Sequence, residues 1–224
     1  MCGRFTLTVD PNTLLSVLEL NSIPVEVEPR YNIAPSQSIA VVTDEAKRDV
    51  ELMKWGLIPS WAKDPAIANQ LINARSETVA EKPSFRAAFA KRRCLVLADG
   101  FYEWERQEGK KKKGAPPNYF QLKDGDPFAI AGLWEMWYPA PNSDPLLTCT
   151  LITTTANDVV SPIHDRSPVI LTGARMWAWL DPTATPAQLQ DLLRPLPSNQ
   201  MTTYRVSPSV NSPRNDSATL IQPA

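Results

Sequence analysis

Alternation of apolar and polar positions with a period of two recurs along the chain, while helical periodicity is confined to a few short stretches. Cys2–Val9 alternates with Phe5, Leu7 and Val9 on one side and predicts an N-terminal strand. Asp10-Pro11-Asn12 then opens a helix over Thr13–Leu20, with Leu14, Leu15 and Leu18 on its inner face. Glu26–Asn32 runs through Pro29, Arg30 and Tyr31 into Ile33-Ala34-Pro35-Ser36 and reads as an ordered loop. Ser38–Thr43 and Asp49–Gly56 predict two strands around an Asp-Glu-Ala-Lys turn, and Leu57–Pro65 a loop with Trp61 at its tip. A helix is expected over Ser84–Ala90, with Ser84 as its N-cap.

The most strand-like stretch is Arg93–Glu105, with Cys94-Leu95-Val96-Leu97-Ala98 as a buried run. Glu108–Gly114 reads as a polar hairpin loop and Tyr119–Lys123 as the returning strand. Phe128–Trp137, Leu147–Thr154 and Val169–Leu171 follow as strands, with a short helix or turn over Asn157–Ile163. Helices are predicted at Ala174–Leu180 and Pro186–Leu193, and closing strands at Tyr204–Val206 and Ala218–Ile221. No internal repeat or low-complexity linker divides the chain. The expectation is one α+β domain over residues 1–224, built from mainly antiparallel, curled sheets with peripheral helices. Its N-terminal strand would carry the active site.

Composition sharpens this in three ways. Twenty-two prolines against eight glycines fit many short elements joined by stiff loops rather than a helical bundle. A net charge of −1 implies no global attraction to nucleic acid, so any such surface must be a local patch. The three cysteines, Cys2, Cys94 and Cys149, are widely spaced with no Cys-x-x-Cys, which argues against a disulfide framework or a zinc site. A reducing cytoplasm fits this usage. The first ten residues hold no apolar signal core, and no 18-residue apolar run suggests a membrane span.

Cys2 is the candidate nucleophile. Its small side chain behind the initiator favours removal of Met1, which would leave a free α-amine and a thiol on adjacent carbons. Such a 1,2-aminothiol condenses with an aldehyde to an imine and then closes a thiazolidine ring. The unperturbed groups titrate at about 7.7–8.0 and about 8.5, close enough to neutrality for modest shifts to activate them.

Seven further motifs accompany Met1-Cys2-Gly3-Arg4-Phe5 in order. They are Arg30-Tyr31-Asn32-Ile33-Ala34-Pro35, Trp55-Gly56-Leu57-Ile58-Pro59-Ser60-Trp61, Ile72-Asn73-Ala74-Arg75-Ser76-Glu77-Thr78 and Ala98-Asp99-Gly100-Phe101-Tyr102-Glu103-Trp104. Ile163-His164-Asp165-Arg166-Ser167-Pro168, Val206-Ser207-Pro208-Ser209-Val210-Asn211 and Leu220-Ile221-Gln222-Pro223 complete the set. From Cys2 to Pro223 the chain resembles the SOS-response-associated peptidase family. The resemblance implies shielding of abasic sites in single-stranded DNA through a covalent crosslink, and autocatalytic loss of Met1.

By that resemblance Cys2 supplies amine and thiol, and Glu103, between aromatics on a buried strand, carries protons. His164, the one histidine of the chain, helps open the sugar ring and form the imine. Asn73 positions the N-terminal residue and the abasic sugar. Arg4, Arg75 and Arg166 are candidates for phosphates, while Asn32, Pro35, Trp61 and Trp104 offer faces for stacking or a wedge. Lys82 or Arg86 could also serve the backbone. Trp55, Trp134, Trp137, Trp177 and Trp179 read as core, and Cys94 and Cys149 as inert strand residues. The basic runs Lys91-Arg92-Arg93 and Lys110–Lys113 read as solvated surface.

No metal or cofactor is called for, and no obligatory protein partner. The expectation is a monomer that is cytoplasmic, and nucleoid-associated when bound to DNA. Two other functions compete: a cysteine peptidase or N-terminal-nucleophile amidohydrolase, and a DNA-binding module in which Cys2 is incidental.

Overall fold

A computed structural model describes residues 2–105 and 115–224. Met1, on whose removal the Cys2 chemistry depends, and the expected hairpin loop Glu108–Gly114 lie outside the described residues.

The strands are β1 (Phe5–Leu7), β2 (Arg30–Ile33), β3 (Ser38–Val42), β4 (Val50–Trp55), β5 (Asn73–Arg75), β6 (Arg93–Ala98) and β7 (Gly100–Trp104). They continue as β8 (Pro117–Leu122), β9 (Phe128–Trp137), β10 (Leu146–Thr155), β11 (Arg166–Pro168), β12 (Ile170–Leu171) and β13 (Met201–Arg205). The α-helices are α1 (Pro11–Val17), α2 (Arg86–Lys91), α3 (Ala174–Leu180) and α4 (Pro186–Leu192). The chain is α+β with curled sheets, as its periodicity predicts.

Strands β10, β4, β3, β6 and β9 form a closed ring, because β9 pairs back onto β10. Every step in that small barrel is antiparallel except β4–β10, which is parallel. Apolar runs such as Cys94–Ala98 are buried on both faces here, one against the barrel interior and one against α2 and α3. A second sheet runs β13-β8-β7-β1-β2. Its outer face packs Tyr102 and Tyr119 against Val206, Val210 and Leu220 of the C-terminal segment.

The predicted strand Arg93–Glu105 is divided at Asp99, and the division creates the two sheets. Asp99 is buried, and its carboxylate accepts from Thr6 Oγ1 at 2.5 Å, Thr8 Oγ1 at 2.6 Å, Val9 N at 3.0 Å and the backbone N–H of Thr8. Those bonds tie the start of the chain to the junction of β6 and β7. Gly100 follows because a Cβ there would fall 2.1 Å from the Tyr119 hydroxyl.

Four other expectations need correction. The segment read as a loop through Asn32 contains β2, held to β1 and by Asp216, which accepts from Arg30 Nε and Tyr31 N, both at 2.6 Å. That partner is remote in sequence. Helix α1 begins at Pro11 rather than Thr13 because the Asp10 side chain caps it, accepting from Asn12 N at 3.0 Å and Thr13 N at 3.1 Å. Ser84 is not an N-cap; Phe85 holds that place with no side-chain bond. Ala218–Ile221 forms a 3-10 helix instead of a strand, burying Leu220.

Candidate active site

Strand β1 lies between β2 and β7, so the residues before it run alongside β7, and Tyr102 N donates to Arg4 O at 3.0 Å. This carries Cys2 into the interior, where it is fully buried. From the other sheet, β5 brings Asn73 by pairing with β10. Asn73 Nδ2 donates to the Cys2 carbonyl at 2.8 Å, gripping its main chain rather than its sulfur. The Asn73 Oδ1 is buried and has no hydrogen-bond partner.

Burial, and then the nearby charge of Glu103, push the Cys2 thiol up to about 12. Its Sγ points at Arg4 O, 3.9 Å away. The thiol is therefore held as S–H at neutral pH, with Glu103 nearby. Glu103 shares a face of β7 with Phe101 and is buried. Glu105, just past the end of β7, meets Arg205 Nη2 at 2.7 Å.

The sequence reading missed Asn118. It sits directly opposite Glu103 in the β7–β8 pairing and so on the same face. It is 4% exposed, and its Nδ2 has no hydrogen-bond partner. The signal was a lone amide entering an apolar strand, but only the register reveals what it faces.

Strand β10 organises the remaining candidates along its two edges. Leu151 and Thr153 pair with Asn73 and Arg75 on one edge, and Thr155 pairs with Arg166 on the other. His164 precedes Arg166 at the end of a turn, with its N–H donating to Val160 O at 2.9 Å. Its Nδ1 accepts from Arg166 N at 3.0 Å and lies 3.1 Å from Asp165 Oδ1. Accepting from Arg166 N requires a bare Nδ1, whereas facing the Asp165 carboxylate favours a protonated one, so the two contacts pull the imidazole toward opposite forms.

The proposed DNA contacts divide into two groups. Arg75 and Trp61 are exposed, Trp61 by 59%, and Pro35 is half-buried beside Ser36, whose φ is +73°. Arg4, Asn32 and Trp104 are instead woven into the structure. Arg4 Nη1 donates to Asn32 Oδ1 and to Val210 O, both at 2.7 Å, and its guanidinium lies 5.9 Å from the Trp104 ring centroid. Burial pulls the Arg4 pKa down from the usual arginine range. Asn32 is fully buried, and its Nδ2 spans Val210 O, Ser212 O and Asn215 O at 3.3, 3.0 and 2.7 Å. It braces Arg4 and the C-terminal segment and offers no face to a ligand. Trp104 Nε1 donates to Asn211 Oδ1 at 2.7 Å.

Arg92 pairs with Glu135 at 2.8 Å, and Arg93 is spent on carbonyls of Phe89, Ala90, Trp179 and Asp181. Among the described residues no cluster of His, Cys, Asp and Glu could hold a metal ion, and no helix is long and apolar enough to cross a membrane.

A family model described as SOS response associated peptidase (SRAP) matches residues 1–213. The chain belongs to this family. It is similar to the abasic site processing protein YoqW of Bacillus subtilis (strain 168), 45% identical over 226 residues covering 99% of each chain. It is also similar to the abasic site processing protein HMCES of Gallus gallus, 34% identical over 87% of this chain and 66% of that one. Among solved structures, a protein from Bacteroides thetaiotaomicron superposes with a TM-score of 0.89 at 27% identity, covering both chains completely. One from Bordetella bronchiseptica gives 0.78 at 28% identity over 92% of this chain. In this SRAP chain the barrel supplies Asn73, and the second sheet supplies Cys2 and Glu103.

Proposed function

We propose that this chain processes abasic sites in single-stranded DNA by joining Cys2 to the sugar as a thiazolidine, once Met1 has been removed. The observation that carries the proposal is the grip on Cys2: its carbonyl is held by Asn73 at 2.8 Å while its thiol lies within the field of Glu103. The relatives' names, abasic site processing proteins, point to the same substrate.

A ring-opened abasic sugar carries an aldehyde at C1′. The α-amine of Cys2 adds to that carbon, and the carbinolamine loses water as Glu103 delivers a proton to the leaving oxygen. The thiol sulfur then adds to the imine carbon, its proton passing through Glu103 to nitrogen. One C–N and one C–S bond form, and one water is released. A thiol held protonated favours this order, with the amine attacking first and the sulfur closing the ring. The family resemblance assigns ring opening to His164. Arg75 and Arg166 neutralise backbone phosphates and Trp61 stacks on a base, while Arg4 and Trp104 form the supporting wall.

The competing reading is a peptidase that uses the Cys2 thiol alone as nucleophile on other proteins. The test is to incubate Met1-processed protein with an oligonucleotide bearing one abasic site and separate the products on a denaturing gel. A heat-stable shifted band from wild type, absent from Cys2→Ala, is expected. Cys2-dependent digestion of unrelated peptides without a shifted band would favour the peptidase reading.

A further inference from the structure

Glu77 lies just past β5, two residues beyond the exposed Arg75. Its two carboxylate oxygens meet the two terminal nitrogens of Arg166, Oε1 with Nη1 at 2.5 Å and Oε2 with Nη2 at 3.0 Å. Arg166 Nη2 also donates to Thr153 O at 2.6 Å, and its Nε is buried with no hydrogen-bond partner. The Arg166 side chain is 13% exposed and that of Glu77 47%. The arginine is thus fixed by the barrel, and the carboxylate covers its outward fork from the solvent side. Arg75 also acts on Glu77 through its charge. Arg166 holds the carboxylate, and Arg75 adds a weaker pull from a distance.

A phosphodiester presents the same chemistry to such a fork: one negative charge on two oxygens, suited to parallel N–H···O bonds. We propose that Glu77 occupies, in the DNA-free protein, the seat on Arg166 that a backbone phosphate takes when a strand binds. This rests on the DNA-strand reading above. Glu77 keeps the buried guanidinium oriented for a two-oxygen anion and competes with the strand for it. Because Glu77 is half-exposed, its carboxylate can swing into water when displaced. The exchange swaps one anion for another on a fixed cation. It therefore trades affinity for preorganisation and weakens binding to any strand that cannot place a phosphate there.

The test uses single-stranded DNA without an abasic site, so that no covalent step intervenes, and follows fluorescence anisotropy across a salt series. Glu77→Gln removes the competing charge while keeping the side-chain size. It is expected to tighten binding about fivefold, equivalent to an exposed ion pair near 1 kcal/mol. The slope of log K against log salt should stay near that of wild type, because the same phosphate reaches Arg166 in both proteins. In an Arg166→Ala background Glu77→Gln should tighten binding much less, leaving only the general effect of one negative charge removed. Weaker or unchanged binding by Glu77→Gln, or an equal gain in the Arg166→Ala background, would show that Glu77 does not hold the phosphate seat and would overturn the proposal while wild type still binds. If wild type itself does not bind single strands, the DNA-strand reading falls, and this proposal with it.

Discussion

Replacing Asn32 with alanine tests how the start and end of the chain are locked together beside the active site. The change removes the acceptor for Arg4 Nη1 at 2.7 Å and the donors to Ser212 O at 3.0 Å and Asn215 O at 2.7 Å. Arg4 keeps its bond to Val210 O, so the cation stays partly held. At about 1 kcal/mol net for each of these short bonds the loss is roughly 3 kcal/mol, more if the freed carbonyls stay dry. For a chain of this size that corresponds to a Tm lower by roughly 6–12 °C. Calorimetry gives the Tm, and limited proteolysis within residues 207–217 reports release of the C-terminal segment. Asn32→Asp sharpens the test. It keeps an acceptor for Arg4 but turns a carboxylate toward the three carbonyls, so it should destabilise at least as much as alanine. A Tm within about 1 °C of wild type for Asn32→Ala, or a neutral Asn32→Asp, would refute the bracing role.

Asn73→Ala should slow crosslinking at least tenfold, by an order-of-magnitude estimate for a lost positioning group, while lowering Tm by only a few degrees. Asn73→Asp should behave like alanine because it loses the donor to Cys2 O; time courses of crosslink formation check both. Trp61→Ala should weaken noncovalent binding to single strands by about 1–3 kcal/mol and leave Tm unchanged, since the ring is 59% exposed; anisotropy and calorimetry separate the two effects. Alkaline pH should destabilise the fold, because burial raises the thiols of Cys2, Cys94 and Cys149 above their unfolded value. The unfolded chain loses these protons first, so the contribution is whole below about pH 8.5 and is lost as pH climbs toward the folded values. Stability should fall by up to about 1.4 kcal/mol per pH unit for each thiol above about pH 9. Urea unfolding across that range should show the decline, and Cys149→Ala should make it shallower; a flat profile would contradict it.

Much of the site was legible because its chemistry lies in short contiguous motifs. Glu103 stood out only through its family motif, because its strand is buried on both faces and shows no alternation to say which way it points. The strands of the barrel were visible as apolar runs of Val, Ile and Leu. Partners distant in the chain were not. Asn32 looked like a loop residue because the acceptors that bury it lie near the C-terminus, and Asp216 turns an apparent loop into β2 for the same reason. The break at Asp99 hides inside a continuous strand pattern, since a single acid in such a run says nothing about the threonines waiting on β1 and just past its end. Asn118 escaped because pairing register is a property of two strands together. Glu77 stood within a recognised motif, yet its role on Arg166 depends on β5 and β11 flanking β10.

The covalent claim is tested most directly by intact mass spectrometry of the protein incubated with an oligonucleotide carrying one abasic site. The predicted species has the mass of the Met1-processed chain plus the oligonucleotide less one water, survives heating, and disappears in Cys2→Ala. Cys2→Ser should give at most an adduct that borohydride must trap, because the oxygen cannot replace the thiol in closing a stable ring. A wild-type spectrum holding only the separate protein and oligonucleotide, or a full yield of the heat-stable adduct from Cys2→Ala, would contradict the thiazolidine at Cys2.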